Sequence, residues 1–300
     1  MRVVSIGECM VEINSAGGGL FSRAFGGDTL NTAIYLARLG TDVAYATALG
    51  DDHLSAEMLA GWQAEGIDTG LVLRVPGRLP GLYMIERDAK GERSFLYWRD
   101  RAPARELFTL ADADYSARLG AFDWIYFSGI SLSLYGDEGR ARLKAMLAAA
   151  RRRGAKVAFD GNYRPRGWSD PAAARAAFTA ILEHVDLALP TLDDETMLFG
   201  DADAAACAAR IRAAGVGEVV VKEGAKGCTV FGSGAPVAVA PPRAVQPVDT
   251  TAAGDSFNAG YLAARIRGAD AAAAALAGHR LAGTVIAWPG AIIPREAMPD

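Results

Sequence analysis

The chain has 300 residues, of which 51% are hydrophobic and 22% charged, and it contains 34 glycines. This composition is typical of a globular protein whose core is large enough to fold without disulfides, and we predict one large domain over residues 1–300. A formal net charge of −4, and the lack of any apolar run of the roughly 18 residues that span a membrane, argue against nucleic acid and membrane as partners.

Short apolar runs typical of strands alternate along the chain with longer amphipathic patterns typical of helices. The strand patterns lie at residues 3–6, 43–49, 124–128, 156–159, 187–189 and 218–222, and the helical patterns at 29–39, 55–65, 138–153, 171–184 and 204–214. This alternation predicts an α/β fold with a doubly wound, mostly parallel sheet that helices cover on both faces. In such sheets ligands bind beyond the carboxyl ends of the strands, so functional residues are expected there.

Two glycines, Gly26 and Gly27, precede the first predicted helix and are followed by Asp28 and Asn31. The glycines permit close approach of a ligand to the backbone, and Asp28 and Asn31, one helical turn apart, would both face it. Their side chains offer the acceptors and donors that suit the hydroxyl groups of a sugar. The alternative is that Asp28 is only the N-cap of the helix.

Two β-rich segments, residues 81–87 and 94–99, are separated by a short polar stretch at 88–92. This pattern predicts an antiparallel hairpin. A hairpin does not easily extend a covered parallel sheet, so we expect it outside the main layer as a small lid that excludes water. Tyr83 and Tyr97 on the hairpin are candidate ligand contacts, and the alternative is an ordinary cross-strand aromatic pair.

Two arginines are candidates for binding a carboxylate. Arg99 ends the predicted hairpin, two residues after Tyr97 and on the same face. The alternative is that Arg99 is only an exposed charge. Asn162 and Arg164 follow the predicted fourth strand, and therefore lie at a carboxyl end where ligands collect. A guanidinium binds a carboxylate through two parallel hydrogen bonds, a contact that a neutral sugar does not need.

The loop after the sixth predicted strand begins with Lys222 and contains Gly224, Lys226 and Gly227. Glycines expose backbone groups to a phosphate or a base, so this loop is a candidate nucleotide-binding segment, although it lacks the GxxxxGK[ST] form of a P-loop. The alternative is a plain glycine turn. His279, farther along the chain, either lines the nucleotide pocket or only packs.

The segment from Asp249 to Asp255 carries the most informative chemistry. Residues 247–251 are predicted as an extended strand and turn, and a helix is predicted from Asp255 onward. The small residues between them are Ala252, Ala253 and Gly254. Backbone N–H groups and the positive end of the helix dipole bind phosphate at such a junction. Asp255 would take the proton from a hydroxyl, whereas Asp249 either helps to hold magnesium through water or caps the turn.

The three cysteines, Cys9, Cys207 and Cys228, are scattered and form no CxxC pair. We expect no secretory leader before them. This usage favours a reducing compartment, and we predict a cytoplasmic protein.

The motifs together resemble those of the ribokinase-like (PfkB) family of carbohydrate kinases. The family signature Asp-Thr-x-Gly-Ala-Gly-Asp is similar to residues 249–255, with Ala252 where the family usually has glycine. The early Gly26-Gly27-Asp28 with Asn31 is similar to the family's sugar-binding segment. Several segments are most similar to the subgroup that phosphorylates 2-keto-3-deoxygluconate, at residues 7–12, 26–31, 79–83, 97–99, 162–165 and 289–298.

The resemblance implies a ribokinase-like fold with a lid formed by about residues 10–25 and 76–102. It implies transfer of a phosphoryl group from ATP, with Mg²⁺, to the terminal hydroxyl of a small-molecule sugar acid. Asp255 is implied as the base and residues 252–254 as the anion hole. The implied acceptor contacts are Gly27, Asp28, Asn31, Tyr83, Tyr97, Arg99 and Arg164. The implied nucleotide contacts are Lys222, Gly224, Lys226, Gly227, Ala252 and Gly254. Asn162, Arg164 and His279 are further candidate nucleotide contacts.

One element departs from the family pattern. The family's Asn-x-x-Glu, linked to magnesium and phosphate, corresponds here to Thr191 through Asp194. A fructokinase or ribokinase, and a catalytically silent sensor of sugar acids, remain alternative functions. A homo-oligomer is expected, because the exposed face and edges of a lid sheet need cover.

Overall fold

The computed structural model describes residues 1–17, 19–87 and 93–299. The strands are β1 (Arg2–Ile6), β2 (Met10–Gly17), β3 (Leu20–Gly26), β4 (Asp42–Gly50), β5 (Val72–Val75), β6 (Leu82–Arg87), β7 (Arg93–Trp98), β8 (Trp124–Ser128), β9 (Lys156–Asp160), β10 (Leu187–Ala188), β11 (Glu218–Lys222), β12 (Cys228–Phe231) and β13 (Val237–Val239).

The helices cover that framework and connect its strands. They are α1 (Asp28–Arg38), α2 (His53–Ala64), α3 (Leu107–Leu110), α4 (Ala113–Leu119), α5 (Gly129–Leu134), α6 (Asp137–Arg152), α7 (Pro171–Leu182), α8 (Leu192–Phe199), α9 (Ala204–Ala213), α10 (Ala253–Ile266) and α11 (Ala271–Val285). Within the described ranges, no helix combines the length and apolar character needed to cross a membrane.

The larger sheet has nine strands in the order β13-β12-β11-β10-β9-β8-β1-β4-β5. The strands from β11 to β5 are parallel, and β12 and β13 are added antiparallel at one edge. Helices cover both faces, as β1 illustrates: Val3 packs into a core with α1, α10 and α11, and Val4 into a core with α6, α7 and α9. Successive strand residues point to opposite faces, so both belong to the interior. The predicted doubly wound α/β fold is confirmed.

A second, separate sheet has the strand order β3-β2-β6-β7. It includes the predicted hairpin, since β6 and β7 are antiparallel and place Tyr83 opposite Tyr97. The chain passes from the carboxyl end of β1 through Gly7, Glu8 and Cys9 into β2, and from β3 through Gly27 into α1. The small sheet is therefore joined to the large one at the edge where parallel strands end. The connection at residues 88–92 lies outside the described residues.

One local prediction, a strand within residues 247–251, and one alternative, Asp28 as an N-cap, are wrong. Residues 247–251 form no strand, because the N–H groups of Val248 and Asp249 donate to the carbonyl of Ile286 after α11 instead of to a neighbouring strand. Asp28 is not the N-cap of α1: Gly27 takes that position, with no side-chain cap, and Asp28 is the first helical residue.

Candidate active site

Asp255 lies in the first turn of α10 and is only 9% exposed. Its carboxylate oxygen Oδ2 accepts a hydrogen bond of 2.8 Å from the side-chain amide of Asn31, in the first turn of α1. The hydroxyl of Thr32 donates to the backbone carbonyl of Asp255 at 3.2 Å. The two helices that carry the early and late motifs therefore meet at their N-termini, where both dipoles favour negative charge.

Burial raises the pKa of Asp255 well above its ordinary range, and the charge of Asp28 raises it further. The hydrogen bond from Asn31 acts in the opposite direction and lowers that pKa. Because desolvation disfavours the charged form most, the carboxyl holds its proton more tightly than an exposed aspartate does. A raised pKa of this kind is typical of a group that takes part in proton transfer.

The backbone turns sharply at the start of α10. Ala252 is its N-cap and adopts the left-handed conformation, with φ of 59°, which disfavours a side chain. No side chain caps this helix, unlike α2, whose first N–H groups are capped by Asp52. A helix start without a side-chain cap, approached through a left-handed residue, leaves its backbone end open to an anionic ligand.

A buried cation stands beside this turn. The ammonium of Lys222, at the end of β11, donates to Asp160 at 3.2 Å and to the side-chain oxygen of Asn258 at 3.0 Å. The amide of Asn258 in turn donates to Asp160 at 2.8 Å. A methyl group built on Gly254 would lie 3.6 Å from the Lys222 nitrogen, so this ammonium faces the first turn of α10.

A cavity of about 650 Å³ opens beside this turn and Lys222. Its lining includes five residues predicted to contact nucleotide, which are Lys222, Gly224, Gly227, Gly254 and His279. His279 forms a 3.0 Å hydrogen bond with the carbonyl of Val239, and burial lowers its pKa, which favours the neutral ring. The volume suits a nucleotide-sized ligand. The other predicted nucleotide contacts, Asn162, Arg164, Lys226 and Ala252, do not line this cavity.

Asp28 is one of the residues predicted to contact the acceptor. Its carboxylate accepts 2.8 Å from the amide of Asn162, and also a hydrogen bond from Ser128. Burial raises the pKa of Asp28. Asn162 has a φ of 37°, a rare value that the bond to Asp28 helps to hold. Asn162, predicted as a nucleotide contact, is thus placed beside a predicted acceptor residue.

Arg99 follows the last residue of β7 and forms an ion pair with Glu8, which follows β1. The side chain of Glu8 is 2% exposed and that of Arg99 18%. Gly27 abuts the same segment, because a side chain there would overlap the carbonyl oxygen of Glu8. Gly27 is therefore required by the packing of the chain as well as being a predicted acceptor contact.

The two predicted tyrosines lie on the small sheet. Tyr83 donates its hydroxyl to Glu12, and its ring lies 6.0 Å from that of Tyr97. Tyr97 is 45% exposed, and the Arg99 guanidinium lies 5.9 Å from its ring centroid. The cross-strand pair is present, and it borders the ion pair of Arg99.

Arg164 and Asp249 have partners of their own. The guanidinium of Arg164 pairs with Asp194 at 3.3 Å, so the two predicted clamp arginines contact different carboxylates. Asp249 accepts from the backbone and hydroxyl of Thr251 at 2.9 and 2.6 Å, and from the backbone of Gly290 at 3.1 Å. Asp249 therefore orders the loop before α10, as its turn-capping alternative states, and metal binding by Asp249 stays a prediction.

The profile described as pfkB family carbohydrate kinase matches residues 1–298. The chain belongs to this family. A 2-dehydro-3-deoxygluconokinase of Dickeya dadantii is 50% identical, over 99% of this chain and 98% of the relative. Another, of Escherichia coli K12, is 46% identical over 99% of both chains. The crystal structure of 2-dehydro-3-deoxygluconokinase from Thermotoga maritima superposes with a TM-score of 0.85 at 24% identity, covering 98% of this chain and 94% of that one, which shows the shared fold.

Three residues of this pfkB family site were not predicted from the sequence. Asp160 and Asn258 hold Lys222, and Glu8 holds Arg99. Asn258 lies three residues after Asp255 on one helix face, and Asp160 ends a strand at the ligand edge, so both positions carried a signal. Glu8 carried no such signal, apart from lying within residues 7–12, one of the segments that resemble the subgroup.

Proposed function

We propose that the protein transfers the γ-phosphoryl group of ATP to the terminal hydroxyl of 2-keto-3-deoxygluconate, also named 2-dehydro-3-deoxygluconate. The products are the 6-phosphate and ADP. One observation carries the proposal: the buried Asp255 follows Gly254, which lines a nucleotide-sized cavity, while its carboxylate accepts a hydrogen bond from Asn31 and senses the charge of Asp28. Relatives 46% and 50% identical over almost the whole chain bear the name of this activity, which supports the choice of acceptor.

In the proposed reaction the ionised Asp255 takes the proton of the terminal hydroxyl as its oxygen attacks the γ-phosphorus. The new O–P bond forms while the bond from the γ-phosphorus to the bridging oxygen breaks, and ADP leaves with those electrons. Lys222 and the backbone N–H groups of α10 stabilise the charge on the phosphoryl oxygens. Asp160 and Asn258 fix the ammonium, so little reorganisation is needed when charge moves.

Magnesium would accompany ATP. The donor chemistry fits, because the carboxylates of Asp160 and Asp194 are hard oxygen donors close to Lys222. Burial raises the pKa of Asp194, and the charge of Asp160 raises it further. We propose that Asp194 holds the ion, at the position where the family has glutamate. Asp249 would act only through water, because its oxygens already accept hydrogen bonds within the loop. Bound magnesium supplies positive charge to the transferring phosphates.

The acceptor contacts proposed are Gly27, Asp28, Asn31, Tyr83, Tyr97, Arg99 and Arg164. Asn31 supports this most directly, because its amide oxygen is buried and has no hydrogen-bond partner among the described residues. The Nε atom of Arg99 is likewise buried and has no acceptor there. Buried polar groups are rarely left unpaired, so both atoms are expected to bind ligand. We assign the carboxylate of the keto acid to Arg99, whose guanidinium binds it.

We also propose a cytoplasmic homo-oligomer. Cys9, Cys207 and Cys228 are free and buried, in keeping with a reducing compartment. Large apolar side chains of the small sheet, among them Phe21 and Trp98, are 58% and 56% exposed, and a second subunit would cover them. Light scattering after size exclusion tests the oligomer, and a monomer at micromolar concentration would contradict it.

The proposed activity is tested by coupled ADP release with one panel of acceptors at fixed ATP and Mg²⁺. We expect kcat/KM for 2-keto-3-deoxygluconate to exceed that for D-fructose and D-ribose by at least about a hundredfold, since a charged contact distinguishes them. Comparable values for the neutral sugars would favour a fructokinase or ribokinase. Binding of the keto acid without ADP release would indicate a silent sensor.

A further inference from the structure

Glu8 is buried although it bears a charge. Its side chain is 2% exposed, and burial raises the pKa of the carboxyl, whereas the charges of Arg99 and Arg105 lower it. Its Oε2 accepts from the Nη2 of Arg99, and its Oε1 has no hydrogen-bond partner among the described residues. A buried carboxylate with only one of its two oxygens hydrogen-bonded among the described residues is costly to keep for stability alone. Such an arrangement calls for a role in the site.

The position of the pair supports that role. Glu8 lies two residues after the end of β1, at the ligand edge of the large sheet, and Arg99 directly follows β7 of the small sheet. The Glu8–Arg99 bond thus joins the two sheets across 91 residues of sequence. It occupies one guanidinium nitrogen and leaves the buried Nε of Arg99 without an acceptor. A guanidinium held at one corner in this way presents its remaining donors in a fixed direction.

We propose that Glu8 is a positioning residue that determines specificity for an acidic acceptor, by orienting Arg99 toward the acceptor's carboxylate. The proposal rests on the proposed function and adds to it a residue that does not touch the substrate. Glu8 acts through the hydrogen bond that its oxygen accepts, so an amide at the same position retains most of the effect.

Gly81 offers an independent way to disturb the pair. A methyl group built on Gly81 would lie 3.0 Å from Cγ of Met10, 3.1 Å from Oε1 of Glu8 and 3.2 Å from Cβ of Arg99. All three distances are tighter than ordinary contacts, so Gly81→Ala is expected to displace Met10 and the Glu8–Arg99 pair without removing any of these side chains. Gly81→Ala should therefore reproduce the effect of losing Glu8, in weaker form.

The test compares binding of 2-keto-3-deoxygluconate with binding of its methyl ester, which lacks the charge, by calorimetry. For Glu8→Ala we expect the Kd of the acid to rise by about tenfold or more, as when an orienting partner is removed, and the Kd of the ester by less than about threefold. Glu8→Gln should stay within about threefold of wild type for both ligands. Glu138→Ala, which removes an exposed Glu–Arg pair on α6, is the matched control and should change neither.

Three results would overturn the proposal: an equal loss for acid and ester, no loss in Glu8→Ala, or tighter acid binding by Glu8→Gln. The last would mean that Glu8 opposes the acceptor's charge instead of orienting Arg99. If Glu8→Ala fails to fold, Glu8→Met keeps the volume and is measured in the same way. A wild-type protein that neither binds nor phosphorylates the keto acid would refute the proposed function itself, whatever the Glu8 variants do.

Discussion

The side-chain amide of Asn31 donates a 2.8 Å hydrogen bond to the carboxylate of Asp255, across 224 residues of sequence. The bond fixes one oxygen of Asp255 and leaves the amide oxygen of Asn31 buried and without a partner among the described residues. Both groups belong to first turns of helices, α1 and α10. The candidate acceptor site and the candidate base are therefore one hydrogen-bonded unit, and the predictions below follow from it.

Asp255→Asn should abolish most turnover while the site keeps its shape. The asparagine oxygen still accepts from Asn31, but the side chain no longer takes a proton, so we expect kcat to fall by about 10²–10⁴ and both KM values to change by less than about fivefold. Steady-state kinetics with a coupled ADP assay measure this. Asp137→Asn, at a fully exposed position on α6, is the control. A kcat within tenfold of wild type would remove Asp255 from the role of base.

Asp28→Asn should move the acid side of the pH profile. Asp28 raises the pKa of Asp255 by its charge, so removing that charge lowers the pKa of Asp255. The base must be ionised to act, and kcat/KM rises with pH as Asp255 loses its proton. The acid limb of the profile is therefore expected at lower pH in Asp28→Asn than in wild type. A limb that stays in place, or moves to higher pH, would show that Asp28 does not act on Asp255.

Two glycines should respond differently to alanine. At Gly254 the added methyl would lie 3.6 Å from the Lys222 nitrogen, an ordinary contact, so the fold tolerates it. It would nevertheless occupy space beside the helix start that we assign to phosphate. We therefore expect kcat/KM for ATP to fall at least about tenfold, with Tm unchanged within about 2 °C. Full ATP turnover in Gly254→Ala would argue against an anion hole at that turn.

At Gly27 the methyl would overlap the carbonyl oxygen of Glu8, so Gly27→Ala should lower the free energy of unfolding by about 1–3 kcal/mol. Gly61 in α2 has open space and is the control, for which alanine is expected to stabilise by about 0.5–1 kcal/mol. Thermal and urea unfolding measure these changes.

Ala252→Gly should be tolerated. Ala252 has a φ of 59°, and glycine would relieve the strain of about 1–2 kcal/mol while adding about 0.5–1 kcal/mol of entropy to the unfolded chain. We therefore expect a free energy of unfolding that is unchanged or raised by about 1 kcal/mol, with kinase activity retained. Ala252→Val should destabilise, because branched residues avoid this conformation. A lower free energy of unfolding in Ala252→Gly would contradict the inference that the backbone at Ala252 is strained.

The order of strands and helices could be predicted because buried parallel strands and covering helices have distinct apolar periods. Residues 247–251 could not, because their extended pattern does not say which acceptor the backbone will find, and Ile286 takes the N–H groups of Val248 and Asp249. The antiparallel β12 and β13 add an edge that the alternation of strands and helices does not require.

For the site, the sequence indicated the residues at helix starts and strand ends but not their pairings. Asp255 could be predicted from its local context, and the fold then brought it to Asn31. The role of Glu8 could not be predicted, because it depends on the ion pair with Arg99, and only the folded small sheet brings Arg99 to Glu8. Pairings between distant segments are set by the tertiary fold, and local patterns do not encode them.

We propose that Asp255 directs phosphoryl transfer to the terminal hydroxyl of a keto acid. Phosphorus–proton correlation NMR of the product formed from ATP, Mg²⁺ and 2-keto-3-deoxygluconate by the wild-type protein tests this role. We predict one new phosphomonoester, coupled to the two protons at C6, formed in step with ADP and at an initial rate at least about a hundredfold lower with Asp255→Asn. Inorganic phosphate alone, a phosphate on another carbon, or an unchanged rate of product formation with Asp255→Asn would contradict this role of Asp255.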